Sequence, residues 1–238
     1  MPRMIGWLAG LTVFFMVQTA FAVDGWVLAM SWHPGFCAAH GDAPDCAGSR
    51  SPGLTLHGLW PEAGPGHDAF CGVSPQAHAL DRPGGWCRLP PTALSQRTVA
   101  ELDRVMPGRR ACLDRHEWLR HGTCSGLSAD DYFNRATMLA VVVENLAVAR
   151  TITGRAGSAV TLEELAGAVK RDFGSGSPAA FSFVCGDRNG APYLLEMRIS
   201  LTTDGVKSFP AGAALRVPAY PAAHGCPSGR PITIDGSR

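Results

Sequence analysis

Charge is scarce in this chain. Only 17% of its 238 residues are Asp, Glu, Lys or Arg, and the formal net charge is +1. A protein that coats duplex nucleic acid carries a basic field or stripe. This chain has neither, so a nucleic-acid ligand would have to be gripped a few nucleotides at a time in a cleft. Cys-x-x-Cys pairs are absent, which argues against a structural zinc site. The zinc-protease pattern His-Glu-x-x-His is absent as well. Internal repeats and domain linkers are missing, so the length is read as one domain, large enough to bury a sizeable core.

The N-terminus has the form of a targeting segment. Arg3 supplies a positive start, Ile5 to Val17 is an apolar run broken only by Gly and Thr, and Ala20-Phe21-Ala22 is a small-x-small cleavage site. The run is short for a bilayer span. Residues 1–22 are therefore expected to be a cleaved signal peptide, with residues 23–238 the mature, secreted or periplasmic domain. Arg3 is the only charge that cleavage removes, leaving 20 basic and 20 acidic residues. All eight cysteines follow the cleavage site. An even number in an exported chain implies four disulfides, although spacing alone allows 105 connectivities.

Hydrophobic patterning predicts strands at Trp26–Trp32 and Leu54–Trp60, with residues 33–53 and 61–91 as loops. Helices are expected from Ser95 to about Met106, from Leu113 to His121 with Gly122 as C-cap, and from Ser128 to about Leu146. Another should follow the capping box Thr161-Leu162-Glu163-Glu164 and run to about Arg171. Residues 180–202 read as a hairpin with a longish turn at 187–190, and the last thirty or so residues as coil. Strands at both ends and helices between them indicate an α+β domain: a mostly antiparallel sheet with several helices packed against it.

Two segments carry the chemistry: Leu54-Thr55-Leu56-His57-Gly58-Leu59-Trp60-Pro61-Glu62 and His116-Glu117-Trp118-Leu119-Arg120-His121-Gly122-Thr123-Cys124. On a helix His116 and His121 stand about 140° apart, so they do not share a face. Glu117 and His121 do, at i and i+4, and a carboxylate beside an imidazole favours the imidazolium. His116 and Arg120 add positive charge, which suits an anion. A lone histidine on an apolar strand is ordinarily a satisfied core residue. Beside His57, however, Gly58 permits close approach and Trp60 offers a stacking platform for a base.

The two segments closely resemble the active-site signatures of the ribonuclease T2 family, HGLWP and HEWxKHGTC, in the same order. Val27-Leu28-Ala29-Met30-Ser31-Trp32-His33-Pro34-Gly35-Phe36-Cys37 is similar to the family's opening strand, and the chain most resembles the bacterial periplasmic ribonuclease I branch. The resemblance implies that His57 and His121 are the acid–base pair, that Glu117 stabilises the transition state and that His116 binds phosphate. It also places Trp60 and Glu62 at the base site. Arg120 stands where the family has lysine. It keeps the charge but differs in reach.

The implied reaction is low-specificity cleavage of single-stranded RNA through a 2′,3′-cyclic phosphate to 3′-phosphate ends. No metal or cofactor is expected, and DNA, without a 2′-OH, should not be cut. By resemblance His121 is the base and His57 the acid, an assignment the residues alone leave open. The resemblance also ties Cys124 to a cysteine just before the next helix, here taken as Cys87. The expected bridges are then Cys37–Cys46, Cys71–Cys112, Cys87–Cys124 and Cys185–Cys226, in a monomer. Two rivals remain: a zinc hydrolase built on His57, His116, Glu117 and His121, and a binding protein that has lost catalysis. The remaining histidines, His33, His40, His67, His78 and His224, read mostly as solvated surface, although His33 and His40 lie near enough to the opening strand to line a base pocket.

Overall fold

Trp26, Leu28, Met30 and Trp32 alternate along β1 (Gly25–Trp32) and are buried on one side of a six-stranded sheet. In this computed structural model the described residues are 23–41, 43–47, 51–62, 69–218 and 225–236. The expected signal peptide, His67 and His224 lie outside them. The chain continues through α1 (His33–Ala39), β2 (Leu54–Glu62), α2 (Pro75–Leu80), α3 (Gln96–Val105), α4 (Leu113–Arg120), α5 (Ala129–Glu144) and α6 (Ala147–Gly154). Then come β3 (Ser158–Val160), α7 (Leu162–Phe173), β4 (Phe181–Arg188), β5 (Ala191–Thr202), α8 (Gly205–Ser208) and β6 (Ile232–Ile234).

The sheet runs β2-β1-β5-β6-β3, and β4 pairs with the other edge of β5. Every pairing is antiparallel except the short β5–β6 contact at Tyr193 and Thr233. The architecture is the expected α+β domain with four disulfides. Leu102 of α3 and Phe133, Leu139 and Val143 of α5 join one core with Leu28, Met30, Leu56, Leu59, Met197 and Ile199 of the sheet.

Local signals placed the main helices well. Ser95 and Ser128 cap α3 and α5 through their hydroxyls, and Thr161 with Glu164 completes the capping box of α7. Several expectations are corrected. Residues 33–53 hold α1, entered directly from β1 with Pro34 in its first turn, and residues 61–91 hold α2. Asn145 interrupts the helix after α5, and α6 follows as a separate element. The hairpin turn is tight: Asn189 and Gly190, at φ 54° and 82°, join β4 to β5. The C-terminal coil contains β6. Gly122 is not a left-handed C-cap; His121 ends α4, and Gly122 opens a short 3-10 turn. Its missing side chain leaves room for the Trp118 ring, which a Cβ would strike.

The middle cysteines pair differently from expectation. The bridges are Cys37–Cys46, Cys71–Cys124, Cys87–Cys112 and Cys185–Cys226, so Cys71–Cys112 and Cys87–Cys124 are both corrected. The reason is chain direction. The Phe70 N–H donates to the Arg120 carbonyl at 2.7 Å, docking residue 70 at the C-terminal end of α4 beside Cys124. The chain then runs back along α4, and Arg115 donates to the carbonyls of Cys87 and Leu89 near the helix start, beside Cys112. Both ends of α4 are still stapled.

Candidate active site

Two β-bulges shape the site. Along β1, Ala29 faces Gly58 while Met30 faces Leu56, so His57 is an extra residue in β2. A bulge re-aims side chains by breaking the two-residue alternation. Leu56 and Leu59, three apart, are therefore both buried in the core. His57 and Trp60, also three apart, share the opposite face. Their rings meet edge to face at 5.4 Å.

Against this face α4 sets Glu117, which is fully buried. Trp60 Nε1–H donates to Glu117 Oε2 at 2.8 Å. Glu117 Oε1 lies 3.5 Å from His57 Nε2 and 3.7 Å from His116 Nε2. His121, on the next turn, stacks on Trp60 with ring centroids 5.2 Å apart. Two imidazoles thus flank one indole above one buried carboxylate. His116 is fixed from behind: its Nδ1 bonds Asp81 Oδ1 at 2.7 Å, and its ring stacks on Trp86 at 4.6 Å.

The electrostatics follow from burial and pairing. Burial by itself lowers the His57 pKa, but Glu196, by charge and hydrogen bond, and then Glu117 outweigh it. Despite opposition from Arg198, the His57 pKa rises from 6.5 to about 9. His57 is therefore an imidazolium at neutral pH, with its side chain still 31% exposed. Burial pushes the Glu117 carboxyl above its usual range against the pull of His57, His116 and the Trp60 hydrogen bond.

The structure brings His57, Trp60, His116, Glu117 and His121 together. It leaves two expected residues at the margin. Arg120 is exposed at the end of α4, its guanidinium 5.2 Å over the Phe70 ring. Glu62 shares the face of Trp60 but ends β2 in an ion pair with Arg216. The guanidinium that reaches the cluster is that of Arg198, 4.9 Å from the Trp60 ring.

Sequence reasoning missed Arg198, together with Glu196, Asp81 and Trp86. A signal for the β5 pair was present, since Glu196 and Arg198 are the only charged residues in the strand segment Leu194 to Leu201, whose other residues are apolar except Ser200. His33 also departs from expectation. It is buried, accepts from the Ser51 N–H at 3.1 Å and lies 3.8 Å from Asp45. His33 and exposed His40 both line a cavity of about 650 Å³ that opens beside His57 and is bordered by Trp86.

The comparisons with known proteins point the same way. The ribonuclease T2 family model matches residues 23–210. This chain belongs to the ribonuclease T2 family. Ribonuclease I of Escherichia coli is 29% identical over 209 residues, covering 78% of this chain and 77% of that protein. A ribonuclease of Aeromonas hydrophila is 38% identical over 117 residues, covering 49% of this chain and 44% of that protein. Among solved structures, the SF11-RNase of Nicotiana alata superposes with a TM-score of 0.64 at 19% identity, over 90% of this chain and all of that one. Human RNase T2 superposes with a TM-score of 0.58 at 15% identity, over 90% and 99%. This T2 ribonuclease is an endoribonuclease on the bacterial ribonuclease I side of the family.

Gly58 offers a check on the site's geometry. A Cβ there would collide with Glu117 Oε2 and lie 2.6 Å from Trp60 Nε1. Glu117 is fully buried and tied to Trp60 by a hydrogen bond, so relieving the clash means shifting that pair. Gly58→Ala should cost about 1–3 kcal/mol of stability by overpacking. By displacing Glu117 it should also lower RNA cleavage about 10²-fold. Thermal melts with steady-state rates are the measurement, and near-normal activity would show that Glu117 is not held against β2 in the working enzyme.

Proposed function

We propose that this T2 ribonuclease cuts single-stranded RNA, with low base specificity and without a metal, by transfer of the phosphoryl group to the neighbouring 2′-oxygen. His121 takes the 2′-OH proton. The oxyanion attacks phosphorus, and His57 protonates the departing 5′-oxygen. The 2′,3′-cyclic phosphate is then hydrolysed to a 3′-phosphate. His116 binds the phosphate and, with Arg120 contributing from the rim, offsets the negative charge that builds on its oxygens, while Glu117 supports the site. Trp60 and Glu62, on one face of β2, border the base.

The observation that carries this reading is the pair of imidazoles on either side of Trp60, one of them held as a cation by carboxylates. That pair matches what the reaction needs, an acid and a base in one cleft. The substrate supplies its own nucleophile, so no metal is required. Four disulfides and the apolar run before residue 23 support export with removal of residues 1–22. The reading further holds that the mature enzyme is a monomer and works outside the cytoplasm.

The test is digestion of RNA in EDTA across the pH range, with the product ends identified. We expect full activity, cyclic phosphate appearing first, and a bell-shaped profile. The acidic limb should report the base. The alkaline limb should fall through about 9 as His57 loses its proton. Activity abolished by EDTA would favour the zinc rival. A rate still climbing above that limb would remove His57 as the acid.

A further inference from the structure

Strand β5 contributes two charged side chains that neither signature segment contains. Glu196 is 6% exposed and both of its oxygens are engaged. Oε2 bonds His57 Nδ1 at 2.5 Å, and Oε1 accepts from Arg198 Nε at 2.5 Å. A carboxylate this deep is tolerated only when paired and hydrogen-bonded. Its partners here are a catalytic imidazole and a guanidinium, so the arrangement is more specific than a surface ion pair.

The sheet is deformed to produce it. One bulge inserts His57 into β2, and a second inserts Leu195 into β5, where Val184 faces Glu196 but Cys185 faces Leu194. Each bulge lets two apolar residues three apart, Leu56 and Leu59 in one strand and Leu194 and Met197 in the other, enter the core. Each also turns the chemistry-bearing residue beside it to the opposite face. Ser31 of β1 pairs with Glu196 on one side and Thr55 on the other. His57 and Glu196 thus meet over the middle strand.

We propose that Glu196 is a positioning residue of the transphosphorylation, fixing the ring and tautomer of His57 so that Nε2–H is presented to the leaving 5′-oxygen, while Arg198 holds the other oxygen of the Glu196 carboxylate in place. The proposal rests on the reading of His57 as the acid. As the 2′-oxygen bonds to phosphorus and its proton passes to His121, the bond from phosphorus to the 5′-oxygen breaks. That oxygen takes the Nε2 proton, and His57 is left neutral with Nδ1–H still donated to Glu196.

The charge of His57 is set from every side. Glu196 and Arg198 face it from β5, Glu117 and His116 from α4, and His121 lies across Trp60. The two carboxylates favour the cation, and Arg198 and burial oppose it. Conversely, His57 and Arg198 outweigh the burial that would raise the Glu196 carboxyl and hold it below its usual range.

Glu196→Gln removes the charge and keeps the shape, and the experiment compares it with the unaltered enzyme and with His57→Ala on two substrates. One is a dinucleotide, whose alkoxide leaving group needs a proton. The other is a nucleoside 3′-aryl phosphate, whose phenolate does not. On the dinucleotide we expect the alkaline limb of kcat to move down by about 1–3 pH units, with KM unchanged. The rate near pH 8 should accordingly fall by about twofold for a one-unit shift, about tenfold for two and about a hundredfold for three. On the aryl ester, Glu196→Gln should lose far less than on the dinucleotide, and His57→Ala should show the same difference between the two substrates.

A limb that stays in place, or an equal loss on both substrates, overturns the proposal. If Glu196→Gln does not fold, NMR titration of the unaltered enzyme decides. His57 protonated on Nδ1 and titrating near 9 supports the role, and titration near 6.5 defeats it. Failure of the unaltered enzyme to make cyclic phosphate would instead overturn the functional reading itself.

Discussion

His57→Ala and His121→Ala should each lower kcat/KM on RNA by about 10²–10⁴-fold, the usual worth of a proton-transfer group. Neither should unfold the protein. His57 is partly exposed at a bulge and His121 ends α4, so each truncation leaves the core intact. His57→Ala leaves Glu196 with Arg198 as its remaining partner, which limits the cost of that buried charge. Glu117→Gln should cost less than either, since it removes a supporting charge rather than the acid or the base. Rates on a dinucleotide, with circular-dichroism melts as the control, are the measurement. Substantial cleavage by both histidine variants would defeat the acid–base pair.

DNA and 2′-O-methyl RNA should give no detectable product under conditions that digest RNA to completion. The reaction has no other nucleophile to offer. With the 2′-oxygen absent or capped, His121 has no proton to remove and the phosphorus is not attacked. Both should still bind, because the phosphate-facing groups are unchanged, and should therefore compete with RNA. Gel assays with each polymer alone, then as inhibitors, test this. Cleavage of DNA at a comparable rate would point to water activated by a metal in place of an internal nucleophile.

Helix starts were legible because they are local events. Ser95, Ser128 and Thr161 each bond a backbone N–H within three residues, and the sequence displays both partners. That Glu117 and His121 stand one helical turn apart was legible for the same reason; that the Glu117 carboxylate lies within 3.7 Å of His57 and His116 was not. The strands were legible as apolar runs, but their phase was not. Leu56 and Leu59 stand three apart with Gly58 between them, a departure from two-residue alternation that marks a bulge.

Glu196 and Arg198 lie some 140 residues from His57 along the chain. That separation is set by which strands pair and in what register. Asp81 and Trp86 reach His116 for a comparable reason, the path taken by a loop whose composition says only that it is not a strand.

The sequence by itself determined the fold class, from hydrophobic patterning, and the use of all eight cysteines in bridges, from their even number behind an export segment. The family followed from the resemblance of the two signature segments, which also singled out His57, Glu117 and His121 as candidates. Only the tertiary structure decided which way the segment after Cys71 runs along α4, and hence that Cys71 meets Cys124 and Cys87 meets Cys112. It alone placed His57 and Trp60 on one face, and Glu196 and Arg198 beside them. These are outcomes of strand register and chain direction. Both are settled by the packing of the whole core, because shifting either would turn buried leucines out to solvent across several strands at once.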